Sequence, residues 1–436
     1  MAIQSLPQGR LNHLQLKIVY TLFFLAVYRV GVAIPLPGID TARLSQFFDS
    51  QGANLLGMFN MFTGGALSQS SIFALGVMPY ISASIIAQLL TVAVPHLEAL
   101  SKEGESGRRK ITQYTRYGTV ILAFIQGYMM ASTLEAQQYN GGPLVLDPNM
   151  AWKLLTVISL CAGTAFVMWL GERITDKGVG NGISLIIFSG IVAEIPRALV
   201  TTFELGRTGA LSTIMLIFIF VLLILTIMFI VFMERALRKI LINYPKRQMG
   251  NKIYGGDSSH LPLKINSAGV IPAIFASALL LLPTTFSNFN FSNNENLINF
   301  TSFFSQGQPL YMLLYAAGII FFTFFYTSIV FNPHETAENL RKYGGFIPGI
   351  RPGENTANYI EFVLTRITTI GTIYLAFVAL LPEFLLSRTS IPFYLGGTAL
   401  LIVVVVMIDF ITQVQSHLFQ HQYENLLKKT KLKGRR

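Results

Sequence analysis

Charged residues are scarce in this sequence. Asp, Glu, Lys and Arg make up 12% of the 436 residues, about half the share usual in soluble domains. Hydrophobic residues make up 52%, and Phe alone contributes 34 residues. A soluble protein of this size needs more charge to cover its surface, so the composition excludes an ordinary soluble domain and favours a membrane protein.

Cysteine and catalytic motifs are equally scarce. Cys161 is the one cysteine, so no intrachain disulfide is possible. The sequence contains no GxxxxGK(S/T) phosphate loop, no HExxH and no Cys/His cluster with metal-ligand spacing. His417 and His421 are four residues apart, and the sequence offers no third ligand beside them. We therefore expect no cofactor, no metal and no nucleotide hydrolysis by this chain, which is not predicted to be an enzyme.

Long apolar runs are what the sequence has in abundance. A helical span needs about 20 mostly apolar residues, and helix is the expected form because lipid offers no partner for backbone polar groups. No signal-cleavage pattern follows the first run, so this run is taken as the first span. The sequence predicts an all-α polytopic membrane protein with ten spans, at residues 18–36, 72–94, 117–134, 154–171, 183–200, 210–233, 268–286, 310–331, 367–381 and 391–408.

Lys and Arg residues are concentrated in every second connecting segment. With the N-terminus inside, the inner segments hold 26 of the 32 Lys and Arg residues. Because cytoplasmic segments carry the excess of Lys and Arg, both termini are predicted to be cytoplasmic. Five spans per half is an odd number, so a duplicated half inserts upside down relative to its twin.

The predicted parts of the chain follow from these spans. They are a cytoplasmic N-terminus at 1–17, a first half at 18–204, a second half at 205–408 and a basic cytoplasmic tail at 409–436. The second half contains two long cytoplasmic connections, 234–267 and 332–366. Connections of that length in a compact protein are usually functional or disordered.

A short apolar stretch at residues 55–67 precedes the second span. As a helix it covers about 20 Å, too little to cross a bilayer. It contains Gly57, Gly64 and Gly65. Two interpretations stay open: a re-entrant segment on the outer side, or an interfacial helix lying on the membrane.

The second span carries a mixed face. Val77 and Ile81 lie one above the other on a helix, and Ser84 and Gln88 continue that stripe. Helix packing accounts for such a face, and so does a pore wall with an apolar constriction. Charges within the spans are few. Arg29, and Glu194 with Arg197, are explained by snorkelling or local pairing, which disfavours a proton relay.

Several long motifs resemble the SecY family, the channel subunits of the bacterial Sec protein translocase. They are MFNMFTGGALS from Met58, FALGVMPYISASI from Phe73, KEGESGRRKITQYTRYGT from Lys102, WLGERIT from Trp169, GVGNGIS from Gly178, HLPLKIN from His260, GVIPAIFASALL from Gly269 and FIPGIRPGENT from Phe346. The resemblance covers all ten spans in order.

This resemblance implies two inverted five-helix halves around an hourglass pore. An apolar pore ring, here named the collar, is implied at Val77, Ile81, Ile187, Ile274 and Ile402. A plug on the outer side of the collar is also implied. This plug segment comprises Met58, Phe59, Asn60, Met61, Phe62, Thr63, Gly64, Gly65, Ala66 and Leu67.

The resemblance also implies a lateral gate between spans two and seven, through which signal peptides reach lipid. Its residues are Pro79, Ser82, Ser84, Gln88, Pro272, Ser277 and Leu282. Pro79 and Pro272 lie near span ends, where we expect easy kinking. The polar members are expected to make weak interhelical contacts, or else to serve ordinary packing.

The long basic connections resemble docking sites. The implied contact residues are Lys246, Arg247 and Arg351, and the implied partners are the SecA ATPase and the translating ribosome, whose RNA phosphates attract Lys and Arg. Pro245 and His334 stand where the family more usually has Ala and Arg. SecE and SecG subunits, signal peptides, nascent polypeptides and membrane lipid complete the implied partners, and the bacterial inner membrane is the implied location.

The predicted function is a passive channel that passes unfolded secretory polypeptides and releases transmembrane segments into lipid. The alternative is a secondary transporter of a small solute, also built from inverted repeats. Such a transporter needs a polar or charged site near the bilayer midplane, and these spans hold little charge. A membrane-bound enzyme needs a catalytic cluster, and the sequence shows none.

Overall fold

Helices dominate the computed structural model of this chain. It describes residues 8–51, 60, 63–136, 138–139, 142–209, 212–244, 247–249, 252–254, 258–287, 308–388 and 397–433. Within these ranges the helices are α1 Gln8–Val32, α2 Thr41–Gln51, α3 Met78–Ala93, α4 Pro95–Lys102, α5 Glu105–Ala136, α6 Met150–Lys177, α7 Gly182–Arg207, α8 Thr213–Arg235, α9 Ile271–Ser287, α10 Pro309–Val330, α11 Pro333–Lys342, α12 Glu354–Arg388 and α13 Gly397–Lys433.

Every predicted span overlaps one of these helices. Eight are long and apolar enough to cross a membrane: α1, α5, α6, α7, α8, α10, α12 and α13. The pair α3 and α4 makes a ninth candidate, bent by 98°, and α9 contributes a shorter apolar stretch, Ile271–Leu280. The prediction of a helical, multi-pass membrane protein is therefore confirmed.

The second span begins later than the sequence predicted. The apolar run starts at residue 72, whereas α3 starts at Met78. Residues 72–77 form turns, and Gly76 has a φ of +54°, which a helix cannot accommodate. The start predicted from hydropathy was wrong because an apolar turn and an apolar helix look alike in composition.

The two gate prolines begin helices. Pro79 lies in the first turn of α3, and Pro272 is the second residue of α9. The first turn of a helix needs no N–H donor, so proline fits there without a kink. The expectation of kinks at these prolines was wrong. The sharp bend lies at Val94, which is extended before Pro95, as the residue before proline prefers.

The first of two compact units comprises Met1–Thr213, Ala278–Gln306 and Ser390–Arg436. Its helix α6 packs against α5, α7 and α1, while α7 also packs against α13. Backbone bridges tie its connecting segments together: Pro35 pairs with Ser71, and Ile39 with Val145. The residues after α1 are therefore fixed against those that lead into α3.

The second unit comprises Ile214–Ser277 and Gly307–Thr389. Its helices α10 and α11 both pack against α12.

Between α8 and α9 the chain forms an antiparallel hairpin of strands, which the all-helical prediction did not include. Among the described residues of this connection there are four strands: β3 Leu237–Asn243, β4 Arg247–Met249, β5 Lys252–Tyr254 and β6 Ser258–Lys264. Strands β1 Gln138–Tyr139 and β2 Gly142–Pro143 form a two-residue antiparallel pair in the first unit. The two predicted halves, 18–204 and 205–408, stay a prediction.

Candidate functional site

The collar residues are all buried. Their exposed fractions run from 0% for Ile402 to 8% for Ile274. Val77 is the N-cap residue of α3, and the Ile81 N–H donates to the Val77 carbonyl at 3.0 Å. These two residues therefore stand one helical turn apart, as the sequence predicted.

The other collar residues lie on three further helices. Ile187 is on α7 and Ile402 on α13, and these helices pack against each other within the first unit. Ile274 lies on α9, in the second unit. A joint constriction of all five stays a prediction.

The plug segment is described in part. Met58, Phe59, Met61 and Phe62 lie outside the described residues. Asn60 closes a turn with the rest of the segment: its carbonyl accepts the Gly65 N–H at 2.9 Å and the Thr63 hydroxyl at 3.0 Å. Its side-chain Oδ1 accepts the Ser68 N–H at 2.8 Å. The polar side chain of Asn60 thus fixes the turns that follow at residues 63–68.

Helix α1 holds this turn by two consecutive residues. The Tyr28 hydroxyl donates to the Thr63 carbonyl at 3.0 Å. The Arg29 Nη1 donates to the Gly64 carbonyl, also at 3.0 Å. Thr63 is 1% exposed and Tyr28 is 1% exposed, so the first bond is sealed from solvent. Two adjacent backbone carbonyls of the plug segment are satisfied by one helix.

The glycines of this turn are also closely packed against α7. Gly64 and Gly65 have φ values of +66° and +84°, where a side chain is strained. A Cβ atom on Gly64 would lie 2.6 Å from the Cα of Gly190 on α7. A Cβ on Gly65 would lie 2.5 Å from the Oε1 of Glu194, also on α7. The GG pair therefore lets the plug segment contact α7 with its backbone.

The gate residues show bonds within their own helices. The Ser277 hydroxyl donates to the Ile274 carbonyl at 2.8 Å, and the Gln88 Nε2 lies 3.5 Å from the Ser84 Oγ. Ser82 is buried at 7% exposure. Leu282 lies on α9, and its side chain is outside the described part of the structure. In the described part of these two helices, the hydrogen bonds of Ser277 and of Ser84 with Gln88 are intrahelical.

The two long connections meet in the second unit. Asn243 at the end of β3 exchanges both backbone hydrogen bonds with Phe346, at 2.9 and 3.0 Å. Ile240 and Leu263 of the hairpin share a buried cluster with Ile347 of the second connection. The sequence did not predict this joining, because nothing in either connection marks the other as its partner.

Arg351 is exposed beside this joined surface. Its backbone carbonyl accepts the hydroxyl of Thr356 at 2.9 Å, which fixes the turn into α12. Lys246 lies outside the described residues, and Arg247 begins β4 with a side chain that is likewise not described. Arg238 and Lys239 on β3 are exposed cations that the sequence reasoning did not single out. We name residues 346–353 the docking strip.

A buried polar cluster at the base of the hairpin was also missed. The Asn266 Nδ2 donates to the Glu234 Oε1 at 2.6 Å and to the Gly269 carbonyl at 3.0 Å. The Tyr374 hydroxyl donates to the same Glu234 oxygen at 3.4 Å. The cluster thereby connects the end of α8, the residues leading into α9, and α12. An acidic residue at the end of an apolar run was the available signal.

Comparisons with known proteins agree with this architecture. The SecY family model matches residues 71–411. The protein translocase subunit SecY of Escherichia coli (strain K12) is 53% identical over 429 residues, which cover 98% of this chain and 97% of the relative.

Two solved structures share the fold at low identity. One belongs to a SecY protein whose plug domain is reported to stabilise the closed state of the translocation channel and to maintain a membrane seal. It has a TM-score of 0.67 and 17% identity, with 97% of this chain and 96% of that chain covered. The other is Sec61 in a canine ribosome–channel complex, with a TM-score of 0.61, 15% identity and the same coverage. With a family model that matches most of its length, this chain belongs to the SecY family.

Proposed function

We propose that this chain is the central protein-conducting channel subunit of a Sec translocase. It passes unfolded secretory polypeptides across the bacterial inner membrane and releases transmembrane segments laterally into lipid, with both of its termini in the cytoplasm. The observation that carries the proposal is the similarity to a translocase subunit over 98% of the chain at 53% identity. The same similarity favours a channel over a secondary transporter, for which these spans offer little midplane charge.

The collar supplies the seal around a moving chain. Val77, Ile81, Ile187, Ile274 and Ile402 are branched aliphatic residues, and all are buried. An apolar constriction closes by dewetting, because it offers ions no replacement for their hydration. The same side chains adapt to a polypeptide without binding it through polar groups. Burial of all five is what a closed collar requires.

The plug segment adds a second barrier. Its turn at Asn60–Gly65 is bonded to α1 through Tyr28 and Arg29. These hydrogen bonds hold the short plug segment in place. Because they are few, they can break together when the segment moves. The plug segment leaves its position when a polypeptide enters.

The lateral gate depends on apolar packing. The first half of α3 is buried, whereas Ile86, Leu90 and Val92 in its second half are exposed. The bonds of Ser277 and of Ser84 with Gln88 lie within single helices. A hydrophobic signal peptide competes well for apolar contacts, since lipid tails and Leu side chains are equally apolar.

The joined connections of the second unit form the docking surface for the energy-supplying partner. Arg351 is exposed there, and a guanidinium forks onto carboxylates or phosphates. The partners proposed are the SecA ATPase, the translating ribosome, and the SecE and SecG subunits. The energy comes from the motor, the ribosome or the proton-motive force, and the chain itself is passive.

Removal of the plug segment tests this function. The chain without residues 58–67, purified with SecE and placed in a planar bilayer, should conduct ions at rest. Ile81→Asn should also raise the resting current, because it places a polar group in the collar. Ile86→Asn, on an exposed face of the same helix, is the matched control. A tight seal in both the deletion and Ile81→Asn would contradict the channel.

A further inference from the structure

Two ionisable side chains from the predicted spans lie against the plug segment. Arg29 belongs to α1 and Glu194 to α7, and both are partly buried. Ionisable residues within membrane spans are rare because they are unfavourable in lipid, so their positions are usually functional. Snorkelling accounts for a charge that reaches water. It does not account for a guanidinium bonded to a specific backbone carbonyl.

Arg29 bonds the plug segment directly. Its Nη1 donates to the Gly64 carbonyl at 3.0 Å, and the Gly64 residue is itself buried. A hydrogen bond from a charged donor is roughly twice as strong as one between neutral groups. The bond connects residues that are 35 positions apart, so it is a tertiary contact.

Glu194 brings the opposite charge to the next residue. Its Oε1 lies 2.5 Å from the position of a Cβ on Gly65. Gly190 is one helical turn before Glu194, on the same face of α7, and its Cα lies 2.6 Å from the position of a Cβ on Gly64. The same face of α7 therefore presents a bare backbone to Gly64 and a carboxylate to Gly65.

We propose that Arg29 and Glu194 form a two-sided latch on the Gly64–Gly65 backbone that sets how readily the plug segment leaves. Arg29 binds the segment through its carbonyl, and Glu194 supplies the counter-charge that attracts the guanidinium. The glycines allow both charged groups to approach the backbone. Arg29 and Glu194 are positioning residues in this role, and the inference rests on the proposed function of residues 58–67 as a plug.

The latch has a consequence for opening. The Arg29–Gly64 bond must break when the segment moves, and the freed guanidinium then stays in the outer part of α1. Weakening the latch raises the resting population of the open state. It leaves the docking strip unchanged, so partner-driven transport by the variant continues.

Resting ion current in planar bilayers measures the latch in the chain purified with SecE. Arg29→Leu removes both the hydrogen bond and the charge. Loss of one charge-assisted hydrogen bond should shift the equilibrium between closed and open states about tenfold, so the resting current should rise about tenfold. Arg29→Lys keeps the charge without the fork and should give an intermediate current. Glu194→Gln should give a smaller rise than Arg29→Leu. Lys153→Gln removes a cation whose ion-pair partner is Glu135 and not the backbone of the plug segment, and it should leave the current unchanged.

The outcomes separate the latch from the plug. If deletion of residues 58–67 leaks while Arg29→Leu and Glu194→Gln both seal like the unaltered chain, the latch is wrong and the plug stands. If the deletion itself seals, the proposed plug fails. If the Arg29→Leu chain does not assemble with SecE, the resting currents of Arg29→Lys and Glu194→Gln test the latch instead. Currents equal to that of the unaltered chain in both variants would overturn the latch. A rise in Lys153→Gln equal to that in Glu194→Gln would also overturn it, because it would show a general effect of charge.

Discussion

Glycines with left-handed backbone occur both in the plug segment and in the docking strip, where their surroundings differ. Gly64 has a φ of +66° and Gly349 a φ of +81°. A Cβ on Gly64 would lie 2.6 Å from the Cα of Gly190, whereas a Cβ on Gly349 would meet no atom within 4 Å. At position 64 both the left-handed backbone and the close packing against Gly190 disfavour a side chain. At position 349 only the left-handed backbone does so.

This difference follows from what each segment does. The plug segment, for which we propose a barrier role, has its backbone bonded to α1 and packed on α7. The docking strip is bonded through Phe346 and leaves the Arg351 side chain exposed. Changes in the plug segment should therefore alter the stability of the closed state. Changes in the docking strip should alter the use of a partner.

The largest effect is expected for Gly64→Ala. A side chain at a left-handed position costs about 1–2 kcal/mol, and overpacking against backbone adds about 1–3 kcal/mol. The variant complex should unfold at a lower temperature and leak ions, because the Gly190 backbone cannot move aside as a flexible side chain can. Thermal unfolding of the purified complex and its bilayer current measure the two effects.

Gly349→Ala is the matched control for that prediction. It carries the same backbone strain of about 1–2 kcal/mol without the clash, so its unfolding temperature should fall less and its resting current should not change. Equal destabilisation by the two variants would show that space at Gly64 is unimportant and would remove the contrast between the segments.

Tyr28→Phe should have an intermediate effect. It removes the donor to the buried Thr63 carbonyl and keeps the ring stacked on Phe73, at 5.9 Å between centroids. Leaving a buried acceptor unsatisfied costs about 1–3 kcal/mol. We expect a modest rise in resting current, detectable in the same bilayer assay. A current identical to that of the unaltered chain would mean that the Tyr28 bond does not restrain the plug segment.

Arg351→Glu should have the smallest effect on the fold and a complete effect on partner use. An exposed substitution usually changes stability by less than about 0.5 kcal/mol. SecA-driven translocation should be abolished while the complex still assembles, because a carboxylate repels the anionic groups that a guanidinium binds.

Lys102→Glu is the control for Arg351→Glu. It makes the same change of charge at an exposed residue of the first unit, outside the two long connections, whose side chain pairs with Glu98 at 2.6 Å. Normal translocation is expected in this variant. Normal translocation in Arg351→Glu would exclude that residue from docking.

Hydropathy predicted the helices well because the bilayer imposes a single requirement on each span. Every predicted span overlaps a helix, and eight of these helices pass the test of length and composition. The error in the predicted start of the second span arose from local backbone conformation. The turn at residues 72–77 is as apolar as the helix that follows, and the two differ in backbone conformation, as the positive φ of Gly76 shows.

Tertiary contacts account for what the sequence did not reveal. Arg29 and Glu194 were visible as charges within spans, but their contact with Gly64 and Gly65 depends on how α1 and α7 meet the plug segment. The exchange of backbone bonds between Asn243 and Phe346 likewise joins residues about a hundred positions apart. Spacing along one helix carries no information about such pairs.

Transport of a secretory precursor tests the central claim most directly. The chain is purified with SecE and placed in lipid vesicles with SecA, ATP and a precursor that carries a signal peptide. The account predicts that the precursor becomes protected from added protease inside the vesicles, and that the Arg351→Glu complex gives no protection. Absence of protection with the unaltered complex, when SecA hydrolyses ATP normally, would contradict a protein-conducting channel.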